Sequence, residues 1–235
     1  MTIKSSGNKK YSILAIIPAR GGSKGIKDKN VRLVNGIPLI CHTIRLIKSI
    51  KFIDNSIVST DSKKVKKIST KNGIEVPFLR PKYLSGDNVA DMPVLQHALK
   101  NCEAYYKKKF DIILMLQPTS PMRKKDTIVS AIRKIIDENL EAVWSVSKVD
   151  SKFHPLKILK LKKKYLDYYL ADGSKIINRQ MLDQVYQRNG LIYVFSRKTI
   201  NSGVILPKKT GCVISKHPVI NIDSFEELKN VARYL

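Results

Sequence analysis

Acidic residues are scarce in this chain: 19 Asp and Glu stand against 44 Lys and Arg, a net charge of +25 over 235 residues. No stretch approaches the roughly 18 consecutive apolar residues that a membrane helix needs. The lysine- and serine-rich segment Met1 to Lys10 also lacks the apolar centre of a signal peptide. A membrane role is thereby set aside, and a cytoplasmic protein is expected. Cysteine is equally sparse. Cys41, Cys102 and Cys212 lie far apart with no CxxC pair, which excludes a zinc site or a disulfide framework and leaves each expected as a small buried hydrophobe. His42, His97, His154 and His217 are scattered without metal-ligand spacing. The GK[ST] ending of a Walker loop and the GxGxxG dinucleotide fingerprint are both missing.

What is present in excess is lysine, and a surplus of this size is one signature of nucleic-acid binding. Here the lysines are spread through KKYS, DSKKVKK, YYKKKF and LKLKKKY rather than gathered on one helix or interleaved with aromatics. Each run therefore reads as a solvated face, and no nucleic-acid partner is expected. The charge still favours capture of a small polyanionic substrate.

Apolar runs alternate with helical periods along the chain. Ile13 to Ile17 reads as a buried strand, and Pro38 opens a helix with Ile40, Ile44 and Ile47 on one face. Ser56 to Thr60 is a β-branched strand ending at the N-cap pair Asp61-Ser62. A short strand is expected at Glu75 to Leu79, and Asp91 is expected to cap a helix carrying Val94, Leu95, Ala98 and Leu99. Asp111 to Gln117 reads as the central strand, followed by a helix with Ile128, Ile132, Ile135 and Ile136 and by strands at Ala142 to Ser147 and Leu191 to Ser196. Ser224 and Glu227 form a capping box for a last helix presenting Phe225, Leu228, Val231 and Leu235.

This rhythm predicts an α/β fold: a three-layer, mostly parallel twisted sheet with helices on both faces and ligands beyond the carboxyl ends of the strands. Residues 1–235 are read as a single domain. The rhythm breaks over 150–188, where KILKLKKKYLDYYL suggests a hairpin or arm that cannot bury its own apolar side, hence an oligomerisation element.

The loop after the first strand carries the clearest chemistry. Gly21, Gly22 and Gly25 leave backbone N–H groups unobstructed while Arg20, Lys24, Lys27 and Lys29 supply positive charge. Such a nest suits a polyphosphate, although a generic basic turn has the same composition. The segment Gln117 to Arg123 follows the central strand at the same sheet edge, so that a glutamine, two hydroxyls (Thr119, Ser120) and Arg123 are expected to converge on the cleft.

The stretches IIPARGGSKGIKDKN, STD, FLRP, LQPTSPMR, FHPLK, RNGLIYVF and NIDSFEEL together resemble the N-acylneuraminate cytidylyltransferases, the CMP-sialic acid synthetases, in register from about Ile13 to the C-terminus. The resemblance implies a nucleotide-diphospho-sugar transferase-like fold that transfers CMP from CTP, with Mg2+, to the anomeric hydroxyl of a nine-carbon 2-keto sugar acid. It also implies a homodimer in which the arm of one subunit reaches the sugar site of the other. Arg20, Gly21, Gly22, Ser23, Lys29 and Asn30 match the triphosphate-binding positions, Arg80 a cytosine contact, and Arg20, Lys29 and Asp223 the catalytic set. Charge-assisted hydrogen bonds from these cations to phosphate would favour departing pyrophosphate.

Gln117, Thr119 and Ser120, with Asn189, Gly190 and Tyr193 of the NG-x-x-Y segment, match the sugar pocket. Lys157 and Arg179 match basic residues that approach from the neighbouring subunit, where a guanidinium fork suits the substrate carboxylate. Asp223 and Asn221 match the metal-binding pair, with the departure that the family usually carries Asp-x-Asp, so the metal is expected to rest chiefly on Asp223 and the nucleotide. Without the resemblance, Asp223 reads as a helix cap, Lys157 and Arg179 as surface charges, Gln117 as a strand-end amide and Tyr193 as a core aromatic. No residue stands out as a general base. The competing acids are legionaminate, pseudaminate and KDO. A non-enzymatic nucleic-acid-binding protein would instead bind oligonucleotides with a steep salt dependence and release no pyrophosphate from CTP.

Overall fold

The computed structural model describes residues 3, 9–217 and 219–235; most of the segment Met1 to Lys10, read above for a leader, lies outside them. In chain order the elements are β1 (Ile13–Pro18), the short hairpin β2 (Leu33–Val34) and β3 (Ile37–Pro38), α1 (Leu39–Lys48), β4 (Asn55–Ser59), α2 (Lys63–Lys71), α3 (Asp91–Tyr106), β5 (Ile112–Met115), α4 (Lys125–Asp137) and β6 (Ala142–Lys148). They continue with the hairpin β7 (Leu159–Lys162) and β8 (Tyr165–Tyr168), then β9 (Tyr186–Ser196), α5 (Arg197–Ser202), β10 (Thr210–Ile214) and α6 (Phe225–Val231).

The central sheet runs β10-β6-β9-β5-β1-β4, with β9 alone antiparallel to its neighbours. Alternation along the strands sends side chains to two separate cores. Ile13, Ala15 and Ile17 pack with Ile40 and Ile44 of α1, Val65 of α2 and the isoleucines of α4, whereas Leu14 and Ile16 pack with Leu95 and Leu99 of α3 and Ile200 of α5. Helices therefore cover both faces, as the apolar strand runs predict. Because the parallel strands share one direction, the loops after β1, β4, β5, β6 and β10 all leave at one edge.

Several local expectations are corrected. Glu75 to Leu79 forms no strand, only a parallel bridge from Glu75 to Ile57; Pro77, which has no N–H, sits two residues on and stops the ladder. Ala90, not Asp91, is the N-cap of α3, and no side chain caps it. Ser62 does cap α2, and the Ser224–Glu227 capping box is present. That last helix buries only Val231, while Phe225 and Leu235 are exposed. Cys41 and Cys102 are buried, but Cys212 is exposed on β10, an edge strand that the sequence reading did not anticipate. β9 begins at Tyr186, five residues before the expected Leu191.

The segment 150–188 does contain a hairpin. Its register puts Leu159, Leu161, Leu166 and Tyr168 on one face, and Leu161 and Leu166 are 71% and 69% exposed.

On the α3–α5 side, Arg197 donates through Nε and Nη2 to the two carboxylate oxygens of Glu103 at 2.6 and 2.9 Å. This pairing, the largest of several, pushes the Glu103 carboxyl down to about 2. A carboxyl whose folded value lies below its unfolded one stabilises fully above the unfolded value, and that contribution fades as pH falls from 4.5 towards 2. Arg197→Met is expected to lower unfolding free energy by about 2 kcal/mol at pH 7 and by less near pH 3, as read from urea denaturation at both pH values.

Candidate functional site

The loop after β1 is built by the chain's own polar groups. Gly21 N–H donates to Asp61 Oδ1 at 2.8 Å, so the acidic end of the STD stretch fixes the turn from the β4 side. Asn30 donates from Nδ2 to Arg20 O at 2.9 Å and is buried. Lys29 reaches the far end of the chain, where its ammonium donates to Ile222 O at 2.7 Å and to Asp223 Oδ1 at 2.8 Å. Gly25 permits this approach, because a Cβ there would collide with the Asp223 carbonyl. Gly21 and Gly22 shape the loop and do not themselves line the cleft it borders.

That cleft, of about 500 Å3, opens at the carboxyl edge of the sheet and gathers Arg20, Ser23, Lys29, Asn30, Arg80, Gln117, Thr119 and Asp223. Arg80 is buried, and its Nε and Nη2 find no partner among the described residues. Burial pushes the Arg80 guanidinium down, partly opposed by Asp61 and Asp91. A buried donor pair of this kind carries a desolvation cost until an acceptor meets it.

Three carboxylates also line the cleft. Asp87 pairs with Arg20 at 2.5 Å and Lys24 at 3.2 Å, and Arg20 first, then Lys24, hold its carboxyl below the usual range. Asp223 pairs with Lys29. Asp91 accepts from Gln117 Nε2 at 3.2 and 3.4 Å, and burial pushes its carboxyl up, opposed by Gln117, Arg188 and Arg80.

The remaining sugar-site candidates sit behind or beside this cleft. Ser120 is buried and donates to Asn221 Oδ1 at 2.6 Å, and Ile222 N–H donates to Thr119 O, so the loop after β5 is laced to the segment before α6. Gly190, at φ +74°, lies against this pair, where a Cβ would stand 3.1 Å from both Ser120 Oγ and Asn221 Oδ1. Asn189 is held by Ser145 and Ser147. Tyr193 is buried, edge-on to Trp144 and stacked with Phe195. Asn189 and Asn221 line a neighbouring depression of about 540 Å3 that also holds Lys148, Arg188, Lys216 and His217. Lys157 and Arg179 lie on the exposed arm, away from the cleft; Arg179 borders a hollow of about 420 Å3 with His154, Asp150 and Asp183.

Arg123 does not converge on the cleft as expected. It is buried, donating to Leu191 O at 2.6 Å, to Thr43 Oγ1 at 2.9 Å and to Gln117 O. It thus locks the loop after β5 onto β9 and α1, at the expense of a desolvated charge whose pKa burial pushes down to about 9. Sequence reasoning also missed Asp87, Asp91 and Arg188; a carboxylate among loop cations was the available signal for Asp87. Arg123→Lys, with one ammonium for three acceptors, is expected to lower unfolding free energy by about 2 kcal/mol or more. An unchanged denaturation midpoint would contradict this role.

Comparison with known proteins places these observations. A family model described as Cytidylyltransferase matches residues 14–232. The CMP-N,N'-diacetyllegionaminic acid synthase of Legionella pneumophila is 34% identical over 191 residues, covering 80% of this chain and 79% of that protein. An N-acylneuraminate cytidylyltransferase of Streptococcus agalactiae is 35% identical over 188 residues, 79% of this chain and 44% of that longer protein. Among solved structures, a CMP-2-keto-3-deoxy-manno-octonic acid synthetase complexed with CTP superposes with a TM-score of 0.70 at 16% identity, covering 95% of this chain and 98% of that one, a likeness of fold.

Proposed function

Because this chain belongs to the cytidylyltransferase family, we propose that it transfers CMP from CTP to the anomeric hydroxyl of a nonulosonic acid of the neuraminate or legionaminate type, releasing pyrophosphate. The observation that carries this reading is the convergence of Arg20, Lys29, Arg80, Gln117 and Asp223 on one cleft at the carboxyl edge of the sheet. Arg20 and Lys29 grip the triphosphate, exchanging the carboxylates of Asp87 and Asp223 for phosphate oxygens. Arg80, with two unmet donors, offers hydrogen bonds to the acceptor edge of cytosine. The sugar hydroxyl attacks the α-phosphorus in line; a new O–P bond forms as the bond to the bridging oxygen breaks, and the loop cations stabilise the pyrophosphate that departs.

The donor set suits Mg2+, which takes one or two carboxylates plus substrate phosphates. The exposed Asp223 carboxylate at the cleft, together with the nucleotide's phosphates, would hold the ion. Asn221, its amide oxygen engaged by Ser120, shapes the segment instead. Bound Mg2+ would neutralise phosphate charge.

The same reading puts a second copy of this chain on the exposed hairpin face of Leu159, Leu161, Leu166 and Tyr168, from which Lys157 and Arg179 would approach the partner's sugar site. Among the described residues no helix is long and apolar enough to cross a membrane, and the reading places the reaction in the cytoplasm.

The decisive assay is pyrophosphate release with CTP, ATP, GTP and UTP against neuraminic, legionaminic, pseudaminic and KDO substrates. Turnover is expected with CTP and one nine-carbon acid and is abolished by EDTA; release with no acid, or equally with every nucleotide, sinks the proposal. Leu161→Lys together with Leu166→Lys is expected to yield a monomer by equilibrium sedimentation, with turnover reduced about tenfold or more.

A further inference from the structure

Of the three carboxylates lining the cleft, Asp87 and Asp223 are each ion-paired to a loop cation. Asp91 differs. Its hydrogen-bond partner is the neutral amide of Gln117, which donates from Nε2 to both carboxylate oxygens at 3.2 and 3.4 Å. An ionised carboxylate can only accept, so the amide must turn its NH2 towards Asp91. With Nε2 committed to Asp91, Gln117 Oε1 is left on the other arm of the amide, on a residue that lines the cleft.

We propose that Asp91 is a positioning residue that fixes the Gln117 side chain as a hydrogen-bond acceptor and so dictates which way round the sugar acid binds. This rests on the reading that the cleft takes a nonulosonic acid beside Gln117. Such a substrate presents hydroxyls, which donate, and a carboxylate, which only accepts. An outward-facing Oε1 welcomes a hydroxyl and repels the carboxylate, directing the acid group elsewhere. If the amide were reversed, its NH2 would hold the carboxylate at the wrong place. Discrimination by a mismatched buried polar group is far stronger than discrimination by shape alone. Burial pushes the Asp91 carboxyl up, and the Gln117 amide, then Arg188 and Arg80, oppose that rise.

Three variants test the inference in steady-state kinetics at saturating CTP, with melting temperature as the folding control. Asp91→Asn is nearly isosteric and can turn its own NH2 to Gln117 Oε1, permitting the reversed amide; sugar KM is expected to rise about 10- to 100-fold, with CTP KM within about twofold of wild type. Gln117→Glu alone sets two carboxylates against each other and is expected to raise sugar KM similarly. Combining both substitutions lets the new amide donate to one oxygen of the new carboxylate while its other oxygen faces the cleft as an acceptor, so sugar KM is expected to fall below that of Gln117→Glu.

A merely structural Asp91 would give no such rescue. Unchanged sugar KM in Asp91→Asn, or a double variant no better than Gln117→Glu, overturns the inference while leaving the proposed reaction standing. A wild-type protein that turns over none of the acids removes both.

Discussion

Strand β1 is hydrogen-bonded to β5 on one side and β4 on the other, and every side chain from Ile13 to Ile17 is fully buried. A backbone enclosed in this way has no freedom to turn until it passes Pro18, and the glycines that follow let it turn at once. The loop's cations are thereby delivered to the sheet edge at a fixed height, beside the loop after β5 that Arg123 anchors from beneath. The cleft is a consequence of this buried frame more than of any affinity among its own residues.

Most of the polar residues in the cleft satisfy one another. Arg20 and Lys24 share Asp87, Lys29 takes Asp223, and Gln117 takes Asp91. Where a partner is exposed, as Lys24 and Asp223 are, such a pair contributes little to stability, because water competes for it. These pairs hold long side chains in extended, ordered positions along the cleft. Arg80 is the exception among the cleft's cations, buried with Nε and Nη2 unmet among the described residues.

Sequence periodicity made the frame legible because a buried strand or a capped helix is written in adjacent residues. The alternation from Ile13 to Ile17, the Ser62 cap and the Ser224–Glu227 box are all local statements, and each is found in the structure. Glu75 to Leu79 misled because its β-branched and aromatic content outweighed a single proline. Edge strand β10 was invisible because its half-exposed pattern carries no strong alternation. Arg123 was misplaced for a different reason: its partners Thr43 and Leu191 lie 80 and 68 positions away, and no local rule distinguishes a cation that serves a ligand from one that staples the backbone. Asp91 looked like a helix cap because its sequence neighbourhood is that of one, while its actual partner comes from the next strand's end.

Strand β9 has a bearing on how the molecule is made. It fills the gap between β5 and β6, so neither of those strands can complete its hydrogen bonding until residues 186–196 arrive. During synthesis β4, β1 and β5 can assemble early, but β6 must wait, unpaired on both sides, because β9 and β10 both follow the arm. The sheet closes late, and the interval in which its middle lies open is set by the length of the excursion between Asp150 and Val185. Lengthening that excursion would extend the window for aggregation even where the finished fold was unchanged.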